Sequence, residues 1–219
     1  MRQGFSVVGY FICSFYLFLS STFVNFVAEI TLYKPSMPKR LSLLQDIIQR
    51  TQYVFVWLSR ITHCKGFGIQ SPTDFRFVNT VVNEHWPYYA YEHLGMYDTW
   101  KRRHLGLLYF RIANWRQPST VYDGVGVMFY VCCGCTNVHV CSSGEILDMA
   151  IVSLADDVDA VLDCCDERSV VLIEDIKTFP EKWKQLVASS RVVISYDLYY
   201  CGILLFDRKR TKQHYIVNY

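Results

Sequence analysis

The sequence predicts an α/β protein: a mostly parallel sheet with a C-terminal antiparallel hairpin, preceded by a helical lead. Three observations predict it. Apolar residues between Leu41 and Arg116 recur at helical spacing. Beyond residue 119, short β-prone runs alternate with helical ones, the pattern of strands joined by crossover helices. The chain has 219 residues, 52% hydrophobic and 19% charged, which is a folded chain of about one domain with room for an appendage.

The lead starts with a helix over residues 41–62. Leu44, Ile47, Ile48, Phe55, Leu58 and Ile61 form its stripe, and Gly66 and Gly68 end it. Ser71-Pro72 opens a second helix with proline at the first helical position, and Phe75, Val78, Val81 and Val82 form its apolar face. A third helix is expected over about residues 91–116, with Leu105, Leu108, Ile112 and Trp115 on one side.

The second half begins with a β-prone run, residues 120–123, followed by Gly124 and Gly126. Residues 137–141 form another run. Residues 147–153 read as a strand or a helix start, and 156–165 as helical. Residues 169–175 are the clearest buried strand. A helix over 179–189 starts near Pro180. Strands over 191–197, 201–206 and 214–218 close the chain, the last two pairing as an antiparallel hairpin. The domain reading is therefore 1–40 as a hydrophobic segment with a linker, 41–118 as the helical lead, and 119–219 as the α/β domain.

Residues 4–28 hold no charge and exceed the ~20 residues that span a bilayer. Arg2 precedes this run; Lys34, Lys39, Arg40 and Arg50 follow it. That charge bias keeps the following domain on the cytoplasmic side, anchored to an inner membrane. A cleaved signal peptide fits less well, because the charged start is short and no small-x-small site follows. A third reading starts the protein at Met37, leaving a soluble cytoplasmic chain.

A net charge of +2, from 22 basic and 20 acidic residues, sets up no field for nucleic acid, so no nucleic-acid partner is expected. The nine cysteines include near-adjacent Cys132, Cys133 and Cys135, and Cys164 with Cys165. This placement suits reduced thiols better than a disulfide framework. Cys132 and Cys135, with His139 and Cys141 nearby, make half of a zinc pattern; no second pair follows at ribbon spacing. The plainer reading is small apolar fillers of a buried strand, and no metal site is assigned.

Several motifs carry a resemblance. Residues 67–72 read FGIQSP and residues 88–92 read YYAYE; 106–111 read GLLYFR. Residues 193–206 read VISYDLYYCGILLF, followed by KQHY at 212–215. In these stretches the chain resembles a bacterial methyltransferase-like family with HGIHSP-type and YYAYE-type motifs, within the class I S-adenosylmethionine-dependent methyltransferase fold. The resemblance covers roughly residues 41–219 and is specific at both ends. It implies a Rossmann-like sheet, S-adenosylmethionine as cofactor and a small-molecule methyl acceptor.

The resemblance also assigns positions. An acid ends strand one and a glycine-rich turn follows, where a side chain would clash with the cofactor. Here Asp123, Gly124 and Gly126 fall at those positions, but the E-x-G-x-x-x-G spacing is not kept, and Val127, Met128 and Phe129 follow. DG is also an ordinary turn. Strand two should end in an acid that holds the ribose; Ser142 falls there, with one hydrogen bond to offer in place of two charge-assisted ones. Strand four should end in aspartate; Ser153 falls there. The paired acids after strand five are Glu174 and Asp175, the candidate catalytic residues, which without a third carboxylate make a poor Mg²⁺ site. Their plainer reading is capping of the next helix.

Parallel strands need a crossover of a dozen or more residues, and only residues 142–146 separate Cys141 from Leu147. Strands two and four therefore cannot both stand as drawn, and the wall that would grip adenine is largely missing. The expectation is a catalytically degenerate methyltransferase-like domain. The alternatives are an active enzyme with a rearranged site and a membrane-anchored interaction protein. Among remaining features, Ser71 reads as a helix cap and His214 as an exposed strand residue. KRRH at 101–104 reads as a solvated helix face or, with an anchored N-terminus, a contact to anionic lipid. DRKRTK at 207–212 reads as a solvated hairpin turn.

Overall fold

The structure is a computed structural model that describes residues 40–141 and 145–219. The expected membrane span at 4–28, Met37 and Ser142 lie outside the described residues. The chain divides into the units Met1–Leu44 and Gln45–Tyr219, and the second holds the whole sheet. Among the described residues, no helix is long and apolar enough to cross a membrane.

Helix α1 (Arg40–Ser59) is followed by a tight turn, Ile61–Gly66, in which Lys65 and Gly66 take positive φ values of 52° and 71°. The α-helix therefore stops at Ser59, short of the expected end, and the backbone leaves helical values at His63, before Gly66. Helix α2 (Pro72–Phe77) starts at Ser71, whose Oγ accepts the Asp74 N–H at 3.4 Å, and continues into a π-helical turn, Val78–Val82. Ser71 therefore caps, as its position before proline suggests.

The third helix starts later than the periodicity predicts. Tyr89–Glu92 is a short 3-10 turn, and Gly95 sits at φ 66°. That conformation breaks the helix, so α3 (Trp100–Arg116) begins only after Thr99, whose hydroxyl accepts the Arg102 N–H. Its Leu105, Leu108, Tyr109 and Ile112 are fully buried.

The sheet has seven strands: β1 (Thr120–Asp123), β2 (His139–Val140), β3 (Leu147–Ser153), β4 (Cys165–Glu174), β5 (Ile194–Asp197), β6 (Cys201–Leu205) and β7 (Gln213–Ile216). They lie in the order β2-β1-β3-β4-β6-β5-β7, and only β6 runs against the others. This is the expected mixed α/β sheet. Helices α4 (Met128–Gly134), α5 (Val158–Asp163) and α6 (Pro180–Ala188) join the strands.

The central strands are apolar because both their faces are covered. Alternate side chains separate into two cores. Met149, Ile151, Val170 and Leu172 pack with α3; Ala150, Val152, Val171 and Ile173 pack with Val158, Val161 and Leu162 of α5 and Trp183 of α6.

Three expectations need correction. The hairpin is β5–β6, whereas β7 lies parallel to β5 on its other side. Residues 207–212 carry the chain past β5, which keeps β6 and β7 from pairing. Both strands that flank β1 also exist despite the short link of residues 141–146. The crossover rule assumes strands of ordinary length, and β2 has only two residues. Val140 pairs with Val121, which also pairs with Met149, so the chain has almost no distance to return before β3 begins. Finally, Cys132 and Cys133 do not fill a strand. They lie exposed on α4, while Cys135 is buried just beyond it with Sγ 3.6 Å from the Pro118 carbonyl. Among the described residues, no three His, Cys, Asp or Glu side chains gather to hold a metal ion.

Candidate functional site

Ligands of open α/β sheets bind outside the carboxyl ends of the strands, where the strand order reverses. Here that end carries Asp123 on β1, Ser153 on β3, and Glu174 with Asp175 at the end of β4.

Both carboxylate oxygens of Asp123 are turned onto its own turn. Its Oδ1 accepts the N–H groups of Val125 at 3.1 Å and Gly126 at 2.8 Å, and its Oδ2 accepts that of Met128 at 2.6 Å. Gly126 sits at φ 75°, which an L side chain rarely adopts, so the turn needs glycine there. Gly124 donates its N–H to the Ile151 carbonyl on β3 at 2.8 Å. From the other side, Arg102 on α3 donates to the Val125 carbonyl at 3.3 Å and to the Gly126 carbonyl. The amides that a cofactor loop turns toward its ligand are therefore bound to the protein's own carboxylate.

Glu174 and Asp175 point to different partners. Glu174 Oε1 accepts from Tyr109 OH at 2.7 Å. Burial pushes the Tyr109 hydroxyl well above its ordinary range, with the neighbouring Cys201 and Glu174 adding to the shift. Asp175 Oδ1 accepts from Lys101 Nζ at 3.1 Å, and its Oδ2 from Ser153 Oγ at 3.2 Å. The capping reading of this pair fails for the side chains: α6 starts at Phe179 with no side-chain cap, and Asp175 supports the turn through its backbone carbonyl, which accepts from Thr178 and Phe179.

Of the residues predicted for the site, Asp175 is thus joined to Ser153, which stands where strand four would carry an aspartate. Among the described residues, Asp123 shares no hydrogen bond with them.

The KRRH cluster is not a solvated face. Lys101 holds Asp175, Arg102 clamps the turn, and Arg103 donates to the carbonyls of Leu94 and Tyr91 at 3.0 Å each. His104 stacks between Trp100 and Tyr219, with ring centroids 4.8 and 4.4 Å away, and its Nε2 is buried without a partner among the described residues. Burial first, and Arg111 second, hold its imidazole down to about 3. A sequence signal for these roles existed. Basic side chains in a helix's first turn oppose the helix dipole and so need partners elsewhere.

Residues 207–212 are likewise engaged. Arg210 pairs with Asp74, which is 1% exposed, and Lys212 Nζ donates to the carbonyls of Ala188 and Ser189. His214 is an exposed residue of β7, its Nδ1 2.8 Å from Ser195 Oγ.

Beside Asp175 lies a cleft of about 460 Å³, walled by α1 and by the chain just beyond β4 and β5. Lys101, Lys177, Tyr199 and Tyr200 line it. Comparison of the chain with protein-family models, with curated proteins and with solved structures returns no match.

Proposed function

We propose that this chain is a class I S-adenosylmethionine-dependent methyltransferase-like domain that does not turn over, and that it acts as a binding or scaffold module. One observation carries the loss of catalysis: in the turn after β1, three amides are taken by Asp123 and two carbonyls by Arg102. The reading is supported by the order of the sheet, with one antiparallel strand among six parallel ones, and by the motifs at both ends of the chain. It is supported too by the length of the link between β2 and β3, residues 141–146, which is too short for a helix and a strand to wall an adenine.

Binding of S-adenosylmethionine and S-adenosylhomocysteine to the full chain tests this reading, by calorimetry with a thermal-shift check. A ligand at 100 times its Kd stabilises a fold by about 2.7 kcal/mol. The expected result is no heat and no shift at millimolar ligand, with the circular dichroism of a folded protein. Micromolar binding that is lost in Asp123→Ala overturns it.

A further inference from the structure

We propose that the cleft between α1 and the ends of β4 and β5 binds a small aromatic monoanion, an aryl carboxylate in its simplest form. The proposal goes beyond the closed turn, because it uses none of the groups of residues 123–128.

Charge sets the sign of the ligand. Two ammonium groups face the cleft, Lys101 and Lys177, against one carboxylate, Asp175. Lys101 Nζ has three donors, and one of them serves Asp175 at 3.1 Å. Lys177 has no carboxylate partner among the described residues; its Nζ lies 5.3 Å from the Tyr199 ring centre. A third cation, Arg60, lies 5.1 Å from the same ring but is matched by Asp197 at 2.8 Å. One positive charge is therefore left over, which a monoanion balances.

Rings set the body of the ligand. Tyr199 and Tyr200 meet edge to face, with centroids 4.9 Å apart and planes at 80°. Across the cleft Phe55 of α1 is 68% exposed, a large apolar face open to water. Aromatic walls favour a flat aromatic guest. The volume lies within the ~300–1,000 Å³ of small-molecule sites.

The backbone explains how the wall residues are placed. Asp175 and Tyr199 both sit at positive φ, 61° and 74°, and both line this cleft. Aspartate tolerates that region, and Tyr199 adopts it as a loop residue of the tight β5–β6 hairpin. Tyr199 is held there by its N–H, which donates to Asp197 Oδ1 at 2.8 Å.

The experiment titrates the full chain with 1-naphthoate and, separately, with its neutral isostere 1-naphthamide, by calorimetry. Naphthoate is expected to bind more tightly than the amide. Lys177→Gln is expected to weaken naphthoate about fivefold and leave the amide unchanged. Phe55→Ala is expected to weaken both. Both side chains are exposed, so circular dichroism should match that of the parent chain. Equal affinity for the two probes, or no naphthoate binding at millimolar concentration by the folded chain, overturns the proposal. S-adenosylmethionine added as competitor separates the two readings: displacement of naphthoate overturns the closed-turn reading and supports the cleft as a ligand site.

Discussion

Asp123 and Arg102 hold the same turn from opposite sides. The carboxylate takes three of its amide protons, and the guanidinium takes the carbonyls of Val125 and Gly126. This pairing closes the loop that follows β1 and fixes how α3 meets the sheet.

Asp123→Ala strands three amides at the carboxyl edge of the sheet. The expected loss is about 2–3 kcal/mol of unfolding free energy, the value of charge-assisted hydrogen bonds with their desolvation. Arg102 is exposed, so Arg102→Gln should cost less, about 1 kcal/mol. Urea unfolding of both variants and of the pair measures this. A double variant whose loss is the plain sum of the two would show that the side chains stabilise the turn independently.

Arg111 ties three parts of the chain together. It donates to the carbonyls of Val81 at 2.8 Å and Val82 at 2.9 Å, and to the hydroxyls of Tyr91 and Tyr219 at 3.1 Å each. It is buried, so Arg111→Met leaves two carbonyls without donors and should cost about 3–5 kcal/mol. Tyr219→Phe keeps the ring stacked on His104 but removes an acceptor for Arg111 and a donor to the His104 carbonyl, for about 1–2 kcal/mol. The ratio of these losses, from denaturant midpoints, checks whether the guanidinium or the terminal ring holds the lead to the sheet.

His104 makes stability fall with acid. Its folded imidazole titrates at about 3 and its unfolded one near the ordinary 6.5. Between those values the unfolded chain binds the proton and the folded chain does not. The stabilising difference is therefore complete above about pH 6.5 and is lost progressively as pH falls toward 3. His104→Phe should flatten the acid side of the midpoint-versus-pH curve; an unchanged slope between pH 7 and 5 would remove His104 as its cause.

How much of this was legible in the sequence follows from range. The continuous apolar run before Glu174 announces a strand covered on both faces, and Ser71-Pro72 announces a helix start, because both signals are local. Glu174 and Asp175 were placed correctly at a strand's carboxyl end for the same reason. Which strand β7 joins was not legible. Its alternation fits either neighbour, and pairing with β5 depends on where residues 207–212 carry the chain. The roles of Lys101 and Arg102 were hidden in the same way, since their partners lie 74 and 23–24 residues away. Asp123 was legible as a strand-end acid, but not as one already consumed by its own turn.

Gly202 on β6 shows how tightly the second core is closed. A Cβ there would lie 2.3 Å from Trp183 Cη2, and Trp183 is 5% exposed beneath α6. The indole is rigid and walled in, so it cannot swing aside as a lysine tip would. Gly202→Ala should therefore cost about 1–3 kcal/mol through overpacking. Trp183→Leu alone leaves a cavity and should cost about 3 kcal/mol. Combined, the smaller leucine makes room for the added methyl, so the double variant should lose less than the sum of the singles. A double-mutant cycle by urea unfolding reads this directly. Strict additivity would mean that the strand shifts rather than the ring, and that β6 is less firmly held between β4 and β5 than its hydrogen bonds on both sides imply.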